Sequence, residues 1–143
     1  MTDIRRIDDR ISVAPQILPD EVSDIAALGF VIIVNNRPDN EEGAQPGGDE
    51  IRAAAEAAGL SYLAIPVSPG GLSREQVDAM AEALAAAHGP VLAYCRSGTR
   101  SCNLWALASA STGGDPETLV GKGASAGYDL SGLRGTLEAL SRG

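Results

Sequence analysis

Pro90-Val91-Leu92-Ala93-Tyr94-Cys95-Arg96-Ser97-Gly98-Thr99-Arg100-Ser101 is the stretch on which the reading turns. An apolar run reaches Cys95, a polar loop with two arginines follows, and an apolar segment with Leu104, Trp105 and Leu107 resumes at once. This order predicts a buried strand, an anion-binding loop and a helix. Backbone N–H groups of such a loop, closed by a helix N-terminus, make a concavity for an anion, and the same field favours a thiolate. Cys95 is therefore the candidate nucleophile. Gly98 lets the loop take conformations closed to residues with a Cβ, Arg100 offers a planar fork to an oxyanion, and Ser101 is placed to hydrogen-bond the sulfur. Arg96, Ser97 and Thr99 complete the anion-binding set. Two arginines beside an apolar strand are costly without an anion to hold, which argues against a cysteine that only packs.

Working outward, Gly and Pro cut the chain into alternating strand and helix segments. Ile4, Ile7, Ile11 and Val13 alternate loosely and predict one or two short strands. Pro19-Asp20-Glu21 opens a helix that Gly29 stops, and Phe30-Val31-Ile32-Ile33-Val34 reads as a strand buried on both faces. The pattern repeats with a helix carrying Ile51, Ala54, Ala55 and Ala58, then a strand over 60–67. Ser73-Arg74-Glu75-Gln76 fits a capping box for a helix ending near His88-Gly89. Asp115-Pro116-Glu117 starts another helix, and Leu130, Leu133, Leu137 and Leu140 mark a last one. The expected architecture is α/β: one domain over residues 1–143, with a mostly parallel central sheet flanked by helices and ligands beyond the carboxyl ends of the strands. The irregular stretch 35–48 exceeds the usual connection length and is expected to be mobile or to belong to the site.

Composition narrows the function classes. Of 143 residues, 44% are apolar, enough for a single core. Eleven Lys and Arg against 19 Asp and Glu give a net charge of −8, which disfavours nucleic acid and anionic membranes as partners. Phe30, Tyr62, Tyr94, Trp105 and Tyr128 are the whole aromatic complement, too few for a base-stacking platform. Two cysteines make no disulfide framework and suit a reducing compartment; with a single histidine they also make a metal site improbable, and no cofactor is expected. A charged N-terminus and the lack of any apolar run near the ~20 residues needed to span a bilayer lead to a cytoplasmic expectation.

Residues 95–101, with Pro90-Val91-Leu92-Ala93-Tyr94 before them and Leu104-Trp105-Ala106-Leu107 after, resemble the bacterial beta-lactamase-hydrolase-like family, whose domain has the fold of cysteine-dependent tyrosine and dual-specificity phosphatases. Further matching stretches are Gln16, Asn36-Arg37-Pro38-Asp39 with Glu41, Ile65-Pro66-Val67 and Ala126-Gly127-Tyr128-Asp129, so the resemblance covers nearly the whole chain. It implies either phosphatase or sulfurtransferase activity. Tyrosine phosphatases place five residues between cysteine and arginine and usually a histidine before the cysteine; here four intervene before Arg100, and Tyr94 precedes Cys95. The shorter loop is similar to that of rhodaneses, where the cysteine carries a persulfide. A phosphatase also needs a general acid, normally an aspartate on a neighbouring loop, and Ser68-Pro69-Gly70-Gly71 contains none. Asp39, Glu41 and Glu42 are the remaining candidates, on the loop from which Arg37 would face the anion; Asp129 is a further acid.

Cys102 is read as core or as a resolving thiol for Cys95, and His88 as a helix-end residue. The leading expectation is a sulfurtransferase working through a Cys95 persulfide, because thiolate and sulfite leaving groups need no acid. Its alternative is a protein-tyrosine or aryl phosphatase with a phosphocysteine intermediate, and a third reading is a non-catalytic oxyanion- or persulfide-binding module. The partner is accordingly a small anionic or sulfane-sulfur substrate, or a phosphorylated protein or aryl phosphate.

Overall fold

A computed structural model describes residues 3–142. Five strands form one mixed sheet in the order β1-β2-β5-β3-β4, with β1 at Arg5–Arg6, β2 at Ile11–Ala14, β3 at Ile32–Asn35, β4 at Ser61–Ala64 and β5 at Val91–Tyr94. Only the β1–β2 pair is antiparallel; β2, β5, β3 and β4 run parallel, as the alternation of strands and helices requires. The helices are α1 (Val22–Ala27), α2 (Gly48–Ala57), α3 (Arg74–Ala86), α4 (Thr99–Ser111), α5 (Pro116–Ser125) and α6 (Arg134–Arg142). None of the described helices is long and apolar enough to cross a membrane.

Strand β5 is central and explains where the site lies. Its four residues are all buried, Val91 and Ala93 toward the side of α3, α4 and α6, Leu92 and Tyr94 toward the side of α1 and α2. The register pairs Tyr94 with Ala14 of β2 and with Asn35 of β3, so three strand ends finish level with one another and Cys95 leaves the sheet between them. Helix α4 then runs back across the sheet with eight buried residues, among them Leu104, Trp105 and Leu107, packed between α3 and α6.

Two strand boundaries differ from the sequence expectation. Strand β3 starts at Ile32 and takes in Asn35, because the Asn35 side chain finds its own partners: Nδ2 donates to the Tyr62 hydroxyl (2.9 Å) and Oδ1 accepts from the Arg37 N–H (2.9 Å). Strand β4 is a partly exposed edge strand of four residues; past it, the N–H groups of Ile65 and Val67 still donate to the carbonyls of Asn35 and Asn36, while Pro66 between them has no N–H to give. The Ser73 capping box is present, with the Gln76 side chain accepting from Ser73 N–H at 2.8 Å and the Gln76 N–H donating to Ser73 Oγ at 3.3 Å.

Candidate active site

The loop from Cys95 to Arg100 is held from both flanks. Cys95 N–H donates to the Ala14 carbonyl (3.3 Å), Gln16 N–H donates to the Arg96 carbonyl (3.3 Å), and the Tyr128 hydroxyl donates to the Ser97 carbonyl (3.2 Å). Gly98 turns the chain at φ +90° into the start of α4, and its N–H donates to Cys95 Sγ at 3.1 Å. The sulfur thus accepts an N–H from the loop and lies at the N-terminal, positive end of a 13-residue helix. Cys95 itself is fully buried.

Gly98 has no substitute there. An added Cβ would overlap the Tyr128 hydroxyl, and φ +90° is a conformation that L side chains rarely adopt. Gly98→Ala is therefore expected to cost about 1–3 kcal/mol in denaturant unfolding and to disturb the cradle. Combining it with Tyr128→Phe, which removes the overlapping oxygen but leaves the φ strain, should recover part of the loss. Full tolerance of Gly98→Ala alone would contradict the geometry.

Arg100 is positioned by the long loop after β3. Its Nη1 donates to Glu41 Oε2 (2.8 Å) and to the Val67 carbonyl (2.6 Å), and its Nη2 donates to Glu41 Oε1 (2.9 Å). Of the five N–H bonds of a guanidinium, these contacts take three. The Nε–H and one Nη2–H, on the same edge of the fork, bond no carboxylate or carbonyl oxygen, and Arg100 also interacts with the Cys95 sulfur. Pairing with Glu41 chiefly, and Cys95 as well, raises the pKa of Arg100. The stretch 35–48 is thus part of the site through Glu41.

Glu41 is a clamp, not an acid. Its Oε1 accepts from Arg37 Nε (2.9 Å) as well as from Arg100, and these arginines, Arg100 first, hold its pKa down to about 2 from an ordinary 4.5. A carboxyl that stays ionised cannot protonate a leaving group at neutral pH. Because the folded value is depressed, the stabilisation is complete above pH 4.5 and is lost as the pH falls toward 2. Acid titration of the unfolding midpoint should show this loss, and Glu41→Gln should flatten it. The same substitution should lower kcat/KM about tenfold by freeing Arg100, and destabilise the fold by about 2–4 kcal/mol because Arg37 is left buried beside it.

The other candidates fall into place around this pair. Arg37, 4% exposed, is paired internally: besides Glu41 it donates through Nη1 to Gln16 Oε1 (3.0 Å). Asp39 is exposed and accepts the Gly48 N–H at 2.8 Å, which makes it a cap for α2. Ser101 does not serve the sulfur; its hydroxyl donates to Asn36 Oδ1 at 2.8 Å, and Asn36, itself buried, donates to the Ile65 carbonyl at 3.0 Å. The Arg96 side chain points outward, 68% exposed, with Nε 2.8 Å from Glu42 Oε1. Ser97 and Thr99 are exposed and hydrogen-bonded to each other (3.0 Å). Cys102 is buried in the first turn of α4, and burial, with the charge of Cys95 beside it, pushes its thiol up to about 12; a thiol held protonated is a poor resolving nucleophile. Asp129 caps Ser131 at 2.9 Å, and His88 lies exposed before β5, at the opposite end of that strand from Cys95.

Three groups of the site lie in stretches that the sequence marks without giving their roles. The Val67 carbonyl and Asn36 act through tertiary contact alone, and the Tyr128 hydroxyl reaches the loop from 31 residues away. The sequence signal for the clamp is the stretch that holds both Arg37 and Glu41, four residues apart.

Comparison with known proteins places the chain in a family. Residues 3–112 match the family model described as "Beta-lactamase hydrolase-like protein, phosphatase-like domain", and the chain belongs to that family. It is 36% identical over 137 residues to a beta-lactamase hydrolase-like protein of Agrobacterium fabrum, a match that covers 95% of this chain and 32% of the relative; the chain thus spans about a third of that protein's length. A crystal structure from Neisseria meningitidis, described provisionally as a phosphatase, superposes with a TM-score of 0.83 at 32% identity, covering 96% of this chain and 97% of that one. TpbA of P. aeruginosa, solved in complex with phosphotyrosine, shares the fold at a TM-score of 0.62 and 19% identity, over 99% and 91% of the two chains. The descriptions of these relatives favour the phosphatase alternative over sulfur transfer, for which they offer no support.

Proposed function

We propose that the chain is a cysteine-dependent phosphatase acting on phosphate monoesters with good leaving groups, aryl phosphates such as phosphotyrosine being the class. The observation that carries this reading is the division of labour on Arg100. Glu41 and the Val67 carbonyl hold one end of the guanidinium, which leaves its other edge for two oxygens of a phosphoryl group. The Cys95 thiolate attacks phosphorus; the S–P bond forms as the P–O bond breaks, and the phenolate departs with the electron pair. The N–H groups at the start of α4 and the free edge of Arg100 hold the equatorial oxygens. Water then attacks phosphorus, the S–P bond breaks, and the thiolate returns with release of inorganic phosphate.

The preference for aryl esters follows from the acids. Glu41 is locked as a carboxylate and Asp39 is engaged with α2, so an alkoxide would leave without a proton. The phosphotyrosine complex of a protein with the same fold supports the same class.

The test is a side-by-side assay with an aryl phosphate, an alkyl phosphate, thiosulfate and glutathione persulfide. Aryl phosphate should turn over, alkyl phosphate at least about a hundredfold more slowly, and the sulfur donors should neither turn over nor leave a sulfur atom on the protein. Persulfide formation with no phosphate release would replace this reading by sulfur transfer, and anion binding without turnover of anything would leave a binding module.

A further inference from the structure

Beside the catalytic loop lies a cleft of about 530 Å³ lined by Gln16, Arg37, Glu42 and Arg96, among others. Arg37 is 96% buried, and its Nη2 is the one buried side-chain nitrogen or oxygen among the described residues with no hydrogen-bond partner. Glu42 Oε1 stands 3.3 Å from it, near enough for attraction but not aligned to accept, and the same oxygen sits 2.8 Å from Arg96 Nε. A buried guanidinium nitrogen left without an acceptor costs free energy, and it faces a space that an anion can enter.

The local charge permits one. Three arginines, Arg37, Arg96 and Arg100, face two carboxylates, Glu41 and Glu42, and the Cys95 thiolate, so the cluster is balanced and an anion that takes the place of Glu42 keeps it so. The two other acids lining the cleft are engaged elsewhere: Asp3 pairs with Arg5 at 3.2 Å, and Glu21 accepts the Leu18 N–H at 2.8 Å. The cleft is also tied to the catalytic loop through the residues that line it. Glu41 Oε1 lies 2.9 Å from both Arg37 Nε and Arg100 Nη2, and Arg96 follows Cys95 directly in the chain.

We propose that this cleft is a second anion subsite, in which Arg37 Nη2 and Arg96 receive a carboxylate or phosphate borne by the substrate, and that Glu42 is the internal carboxylate this anion displaces. The substrate class is then a small phosphate monoester carrying a second anionic group. This proposal rests on the phosphatase reading above. Glu42 is half-exposed and on an irregular loop, so its displacement costs little; Glu41, partly buried and bonded by two arginines, stays.

The experiment compares meta-carboxyphenyl phosphate with its uncharged amide, meta-carbamoylphenyl phosphate, which matches it in shape. The unaltered chain should prefer the acid by about tenfold in kcat/KM, Arg96→Ala should cut that ratio to about threefold or less, and Glu42→Gln should raise it by about threefold. Because both esters share the phosphoryl chemistry, the ratio reports the subsite and turnover of the amide reports the phosphatase reading. Equal turnover of the two esters by the unaltered chain, or a ratio that neither substitution moves, would overturn the subsite while leaving the phosphatase intact. Failure to turn over either ester would overturn both.

Discussion

Cys95→Ser is expected to lower aryl phosphate turnover by about a thousandfold or more while the protein stays folded. A serine hydroxyl at this position has a far higher pKa than a thiol, and neither one N–H from Gly98 nor the α4 terminus can ionise it at neutral pH. The exchange is small in volume, and the hydroxyl still accepts the Gly98 N–H, so the unfolding free energy should change by about 1 kcal/mol or less. Circular dichroism melts and kinetics on the same preparation check both halves. Loss of activity through loss of the fold would return Cys95 to the role of a core residue.

Arg100→Lys is the second large effect. Lysine keeps the charge but replaces a fork that bonds Glu41 twice, the Val67 carbonyl once and an oxyanion by its remaining edge with a single ammonium. An ammonium that stays with Glu41 cannot also present two parallel donors to phosphate. We expect kcat/KM to fall about 100- to 1,000-fold, with most of the loss in kcat because the interaction strengthens in the transition state. Glu41 retains Arg37, so the fold should persist. A change in KM alone would mean that Arg100 binds substrate without stabilising the reaction.

What the sequence reveals of this site is what depends on near neighbours. The apolar run into Cys95, the glycine at the turn and the apolar helix after it are all written within residues 90–107, and the fold class follows from the same alternation repeated along the chain. Roles that depend on distant partners stay hidden. Glu41 reads as a free acid on an acidic loop, and only its contact with Arg100, 59 residues on, turns it into a fixed carboxylate. Ser101 reads as a partner for the sulfur, but Asn36, 65 residues before it, takes its hydroxyl. Cys102 reads as a thiol near a thiol, and it is the depth of α4 in the core that keeps it protonated. The four residues between Cys95 and Arg100 point to sulfur chemistry through likeness to another loop, yet a short loop does not say which end of the arginine is committed to the protein.

The most direct test of the account is the intact mass of the protein rapidly quenched during turnover of an aryl phosphate. The phosphatase reading predicts a population heavier by one phosphoryl group, carried on the peptide that contains Cys95 and missing from Cys95→Ser. Phosphate release by a protein that never gains this mass, and that Cys95→Ser leaves undiminished, would contradict a covalent Cys95 intermediate.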